Sequence, residues 1–342
     1  MNRMYKFAAV FAAVALLLTA CGPAATPAPT AALAATSAPT AALTAKPFKV
    51  AIVLPGVITD NGWNASAYEG LMMAKDQLGA EVAYSEAVPQ TDYETAFRDY
   101  ASQGYDLVIG HGFEFGDPVM KIAPDFPNTK FVVVNNVVTA SNVASVEFNN
   151  EEAGFLAGVV AGLMTKTNKV GGVGGFDIAS IVRGINGFEQ GVKYVNPKAE
   201  VFVTYTQSWD DIAKGKEAGL ALIDRGADVV WEFADAAGLG VIEAAKEKGV
   251  YAIASVRDKS SAAPDTILVS TLEEVPPLIL DVAKTVKEGT FEGQMYRFGV
   301  EKGPIRYAGW NAVVPADVKA KAEQVLADIA AGKIKIERKD TR

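Results

Sequence analysis

Cysteine is almost absent: the 342 residues hold one, Cys21, so no disulfide within the chain can staple the fold and stability must come from a packed core. Histidine is equally scarce. His111 stands alone, which excludes a histidine-based metal cluster and leaves a Ser-His-Asp triad one residue through which to run; no G-x-S-x-G elbow accompanies it. A place lining the cleft or its rim is the expectation for His111, with no metal, no cofactor and no catalytic residue. Basic runs are missing as well. Setting aside Arg3 and Lys6 takes the formal charge from −8 to −10, and no stretch suits a phosphate backbone, so nucleic acid is not an expected partner. Apolar residues, at 50%, are plentiful enough for a large core.

Arg3 and Lys6 precede an uninterrupted apolar run over 7–18, followed by small residues. This pattern reads as a secretory signal and is too short for a dependable membrane span. Leu18-Thr19-Ala20-Cys21 resembles the lipobox of bacterial lipoproteins, whose cysteine carries the lipid. On that reading residues 1–20 are a signal peptide, and the exported chain is held on the outer face of the cell membrane by a lipid anchor at Cys21 alone. A free thiol or an intermolecular disulfide is the competing reading. Residues 21–46 are rich in Ala, Pro and Thr, without charge before Lys46. Such a segment lacks the apolar bulk to fold and reads as a tether reaching on the order of 70 Å in extended form.

The 296 residues from Pro47 onward exceed the usual size of one domain and favour two lobes. Short β-branched runs alternate with amphipathic stretches, as in βαβ units. Strands are expected over 48–54, 107–110 and 131–134 with helices over 65–78 and 93–102. A second series has strands over 169–173, 201–205, 228–232 and 251–254, with helices over 182–194, 212–225 and 238–248. Met72, Met73 and Phe97 sit at helical spacing and belong to the core. The fold class is α/β, with two Rossmann-like lobes and a cleft between them.

In open parallel sheets ligands bind beyond the carboxyl ends of the strands. Loops in those places hold Asp60, Asn61, Trp63 and Asn64, then Phe113, Phe115 and Asp117, then Trp209, Asp211 and Asp235. Two of the four tryptophans are among them. A pair of aromatic faces can sandwich a planar ligand while Asp and Asn read its donors and acceptors, and a purine fits that description. Each residue also has a plain structural reading: Trp63 could pack on its helix, and Asp60 and Asp117 could cap helices. The glycines of Gly171-Gly172-Val173-Gly174-Gly175 read as tight strand-to-helix turns rather than a phosphate-binding fingerprint, since G-x-G-x-x-G is incomplete.

Several segments, in order, resemble the basic membrane protein (BMP) family of ABC-transporter solute-binding lipoproteins, which includes purine nucleoside receptors. They are 60–70 (DNGWNASAYEG), 110–117 (GHGFEFGD), 151–162 (EEAGFLAGVVAG), 187–197 (GFEQGVKYVNP) and 234–248. The resemblance spans the whole mature domain. It implies the periplasmic-binding-protein type I fold, two α/β lobes joined by a three-segment hinge, with 47–149 plus 257–288 in the N-terminal lobe and 150–256 plus 289–342 in the C-terminal lobe. It also implies ABC permease and ATPase partners and a monomer. Trp63 and Trp209 stand at the family's stacking positions, and Asp60, Asn64 and Asp117 at polar positions near the base. The family's ribose-binding Asp falls on Val256, unless a short shift brings Asp258 there. The glycine-rich turn near the ribose is replaced by Ala234-Asp235-Ala236-Ala237-Gly238. Lost acceptor and added carboxylate together favour a free base such as adenine over a nucleoside, with Asp235 accepting from a ring or exocyclic N–H and Arg257 pairing with it or facing a ligand acceptor. A ligand-sensing lipoprotein or a nucleoside-processing enzyme are the alternatives.

Overall fold

A computed structural model describes Lys46–Asp60 and Gly62–Arg342. The signal segment, Cys21, the tether and Asn61 therefore lie outside the described residues. No helix among the described residues is long and apolar enough to cross a membrane.

The first series of β-branched runs builds β1 (Lys49–Val53), β2 (Glu81–Ser85), β3 (Leu107–Gly110), β4 (Lys130–Val134) and β5 (Val143–Phe148). Between them come α1 (Trp63–Leu78), α2 (Tyr93–Ser102) and α3 (Gly116–Ile122). The second series gives α4 (Asn150–Met164), β6 (Lys169–Gly174), α5 (Ala179–Val195), β7 (Glu200–Tyr205), α6 (Ile212–Asp224), β8 (Val229–Phe233), α7 (Ala237–Lys248), β9 (Tyr251–Val256) and β10 (Ile267–Glu273). The chain closes with α8 (Val275–Lys287), β11 (Met295–Phe298), β12 (Ile305–Ala308) and α9 (Ala316–Ala330).

Two six-stranded sheets result, in the orders β11-β5-β4-β3-β1-β2 and β12-β10-β9-β8-β6-β7. All pairings are parallel except β10 with β12. Strands β1, β3 and β4 are buried almost throughout, as parallel strands covered by helices on both faces must be. The chain crosses between sheets after β5, after β10 and after β11. This is the periplasmic-binding-protein type I architecture.

Two segments divide differently from the expected lobes. Residues 257–273 stay with the second sheet, because β10 extends it in parallel register beside β9. β11, expected in the C-terminal lobe, instead pairs with β5 in the first sheet, and α8 packs on α1.

The glycines of the 151–162 and 187–197 segments have a packing role. Gly154 and Gly158 on α4 lie against the backbone of α5 at Gly184 and Phe188, so a Cβ at either place would collide with a carbonyl oxygen. Gly171, Gly172 and Gly174 are not turn residues: they lie inside β6, where a Cβ on Gly171 or Gly174 would press on Leu222 or Ile181. Near the first crossing, the buried Glu147 of β5 collects Arg297 from β11, Arg183 from α5 and Arg338 from the C-terminal segment. One carboxylate thus ties both lobes at the hinge. Lys46–Arg342 form one compact unit with its own hydrophobic cores.

Candidate functional site: the cleft between the lobes

A cavity of about 320 Å³ lies at the carboxyl ends of the strands, lined from the first lobe by loops after β1, β2, β3 and β4 and from the second by loops after β6, β7 and β8 and by the last residues of β9 and β10. Six described non-glycine residues have positive φ, and five of them, Ala87, Asn135, Gln207, Asp235 and Val256, line this cavity. Left-handed backbone is costly for side chains with a Cβ and gathers where loops are shaped for function. Val256 is the extreme case: a β-branched residue at φ 65°, spanned by a three-residue turn in which Arg257 N donates to Ser255 O at 2.7 Å.

Trp63 forms the first-lobe wall. Its indole stacks on His111, centroids 3.9 Å apart and 21° between planes, and meets Phe148 edge-on at 6.3 Å. Trp63 Nε1 donates to His111 O, and His111 Nε2 donates to Trp63 O, both at 3.1 Å. Burial drives the His111 pKa down to about 3, so the ring is neutral. His111 is fully buried behind Trp63 and does not line the cleft. Asp60 and Asn64 do border the cavity, with their polar atoms engaged locally. The Asp60 carboxylate accepts from the N–H groups of Gly62, Asn64 and Ala65 at 2.9 Å and from Asn64 Nδ2 at 2.8 Å, while Asn64 Oδ1 accepts from Gly56 N. Asp60 is a cap for the start of α1, the plain alternative of the sequence reading.

Trp209 forms the opposite wall, tilted against Phe176 with centroids 5.1 Å apart. Ser208 fixes this loop: its Oγ accepts from Asp210 N and Asp211 N and donates to the Asp210 carboxylate. Asp235 reaches across the cleft to the start of α1, where its carboxyl lies against Gly62.

Three acids facing the cavity hold their protons unusually well. Burial pushes Glu114 up to about 7; burial, with Asp60 and Glu232 nearby, pushes Asp235 up to about 8; burial and the neighbouring Asp235 push Glu273 up to about 8. Each folded-state value exceeds the ordinary carboxyl value, so between about pH 4 and 8 the folded chain binds more protons than the unfolded one and stability falls as pH rises. The ligand-free domain is expected to lose at least about 5 °C of melting temperature between pH 5 and 8. The double variant Asp235→Asn, Glu273→Gln should flatten that slope in thermal unfolding. An unchanged slope would place the titration elsewhere.

Residues 48–340 match the family model described as ABC transporter substrate-binding protein PnrA-like, the Bmp family. This chain belongs to the Bmp family. The chain is similar to the transcriptional activator protein med of Bacillus subtilis, 32% identical over 279 residues that cover 81% of this chain and 87% of that one. It is also similar to a purine-binding protein of Brucella abortus, 31% identical over 289 residues, 84% of this chain and 82% of that one. An ABC-transporter solute-binding protein from Aeropyrum pernix K1 shares the fold, with a TM-score of 0.78 at 24% identity, covering 86% of this chain and 94% of that chain.

Within this Bmp-family cleft, Asp60, Trp63, Asn64, Phe113, Trp209 and Asp235 all line one cavity, as their loops suggested. Five other candidates lie elsewhere. Phe115 is fully buried in the first lobe against Tyr93 and Phe97, and Asp117 is exposed in the first turn of α3. Asp211 is the N-cap of α6, accepting from Lys214 N, and its neighbour Asp210 faces the cavity instead. Arg257 is turned away by the strained turn at Val256 and pairs with Glu69 at 2.7 Å. The Asp258 carboxylate accepts from Ser260 N and lies against Gly309. The cavity also draws on Glu114, Asn150, Phe176 and Glu273. For Phe176 and Glu114 the strand-end rule was sufficient signal; Asn150 and Glu273 sit at the lobe crossings, which no local pattern marks.

Proposed function

We propose that this Bmp-family substrate-binding protein captures a purine between its lobes, free base in preference to nucleoside, and delivers it to an ABC permease and its ATPase. The observation that carries the reading is the pair of aromatic walls, Trp63 from one lobe and Trp209 with Phe176 from the other, across a cavity of about 320 Å³. The similar Brucella abortus protein is named for purine binding. Preference for the base is supported by the apolar Val256 where the resemblance would place a ribose-binding carboxylate. Capture needs no chemistry: ligand bridges the walls and favours the closed state by its differential affinity. The protein works as an exported monomer held to the membrane by lipid on Cys21.

Calorimetric titration of residues 47–342, refolded to strip retained ligand, tests this against adenine, guanine, adenosine, guanosine and ribose. Tight binding of a base over its nucleoside is expected. Preference for a nucleoside would overturn the base reading, and silence from all five would overturn purine capture. A sensing role is the second reading, favoured by the similarity to a protein named as a transcriptional activator. Co-purification of a permease from membranes separates the two.

A further inference from the structure

At the inner end of the cavity a buried side-chain acceptor has no partner among the described residues. Asn150, the first residue of α4, is fully buried and lines the cavity. Its Nδ2 donates to Glu273 Oε1 at 3.1 Å, which leaves its Oδ1 buried without a partner. Glu273, the last residue of β10, also lines the cavity and is 2% exposed. Among the described residues Asn150 is its one hydrogen-bond partner. No lysine or arginine is found among the described lining residues. Lys259, the buried cation behind this wall, is engaged by Glu232 at 2.8 Å. A buried acceptor left unpaired is costly, so an occupant that supplies the missing donors gains what the empty site lacks.

Resting on the purine reading above, we propose that Asn150 and Glu273 form an amine-reading subsite in which an –NH₂ group of the ligand donates one hydrogen to Asn150 Oδ1 and the other to the free carboxyl oxygen of Glu273. Donor count decides for an amine: a hydroxyl brings one hydrogen and leaves an acceptor bare. The acidic lining, with Asp235 beside Glu273, favours an electropositive group and opposes phosphorylated ligands. An amine facing the carboxyl stabilises its charged form, so occupancy releases the proton that the empty site holds. Selectivity then follows for aminopurines over the oxopurines, in which a carbonyl replaces the amine and the adjacent ring N–H brings one hydrogen in place of two.

The test is calorimetry on the domain with two matched pairs, adenine against hypoxanthine and guanine against xanthine. In at least one pair the amino base should bind at least about a hundredfold more tightly, as expected when a site built for a donor meets a ligand without it. In Glu273→Gln the ratio should fall below about tenfold. Purines that bind with no amino preference would overturn the subsite and leave purine capture standing. A ratio that survives Glu273→Gln would overturn it too, and no binding by any of the four would overturn the capture reading on which it rests. The wild-type pairs decide the matter even where the variant fails to fold.

Discussion

Lys259→Met is expected to destabilise the domain by about 3–5 kcal/mol, the cost of stranding a buried charge, and to lower the melting temperature by roughly 10 °C. Glu232, on β8, is fully buried; its Oε1 accepts from Lys259 Nζ and Ser255 N, both at 2.8 Å, and its Oε2 has no partner. Removing the ammonium leaves that buried carboxylate one backbone N–H and no countercharge. Glu232→Leu combined with Lys259→Met should recover most of the loss, because the desolvation cost of both charges disappears with them. The effect also reaches the cleft. Lys259 is the cation that holds Asp235 down, so its loss pushes the Asp235 carboxyl further up. Denaturant unfolding of the single and double variants checks the prediction; a single variant as stable as the parent would refute the buried-pair reading.

That pair was invisible in the sequence, and the reason is general. Glu232 and Lys259 are 27 residues apart, one on a strand and one in the loop after β9, and each alone looks like a charge destined for solvent. What periodicity does carry is strand against helix: the expected helix 93–102 and strand 107–110 are the observed α2 and β3. The strand-end rule placed Trp63, Trp209 and Asp235 on one cavity because it depends only on local order. It failed wherever side-chain direction mattered. Phe115 and Phe113 share one turn, yet Phe115 is in the core and Phe113 is 39% exposed at the cleft. Asp210 and Asp211 split in the same way, one facing the cavity and one capping α6. Long-range topology was the other gap. The order of crossings depends on whether β10 adds to the second sheet, which its own seven residues do not announce.

Trp209→Ala is expected to weaken capture of a purine by about 1–3 kcal/mol, roughly ten- to a hundredfold, with little change in stability. The indole is half-buried at the cavity wall, tilted against Phe176 and lying over Gly175 at the edge of the core. Trp63→Ala should weaken capture by a similar amount and also cost about 3 kcal/mol of stability, because Trp63 is 9% exposed and its loss opens a cavity over His111. The two effects at Trp63 separate in Trp63→Phe, which keeps an aromatic face toward the ligand and gives up the Nε1–H bond to His111 O. Near-parental affinity with reduced stability in that variant would mean that stacking carries the binding and the hydrogen bond carries the fold. Calorimetry and thermal unfolding on the same three variants read both quantities. A loss at Trp63 without one at Trp209 would leave a ligand stacked on the first lobe alone, and closure of the second lobe would then have to be driven by polar groups such as Asp235, which lies against Gly62 at the start of α1.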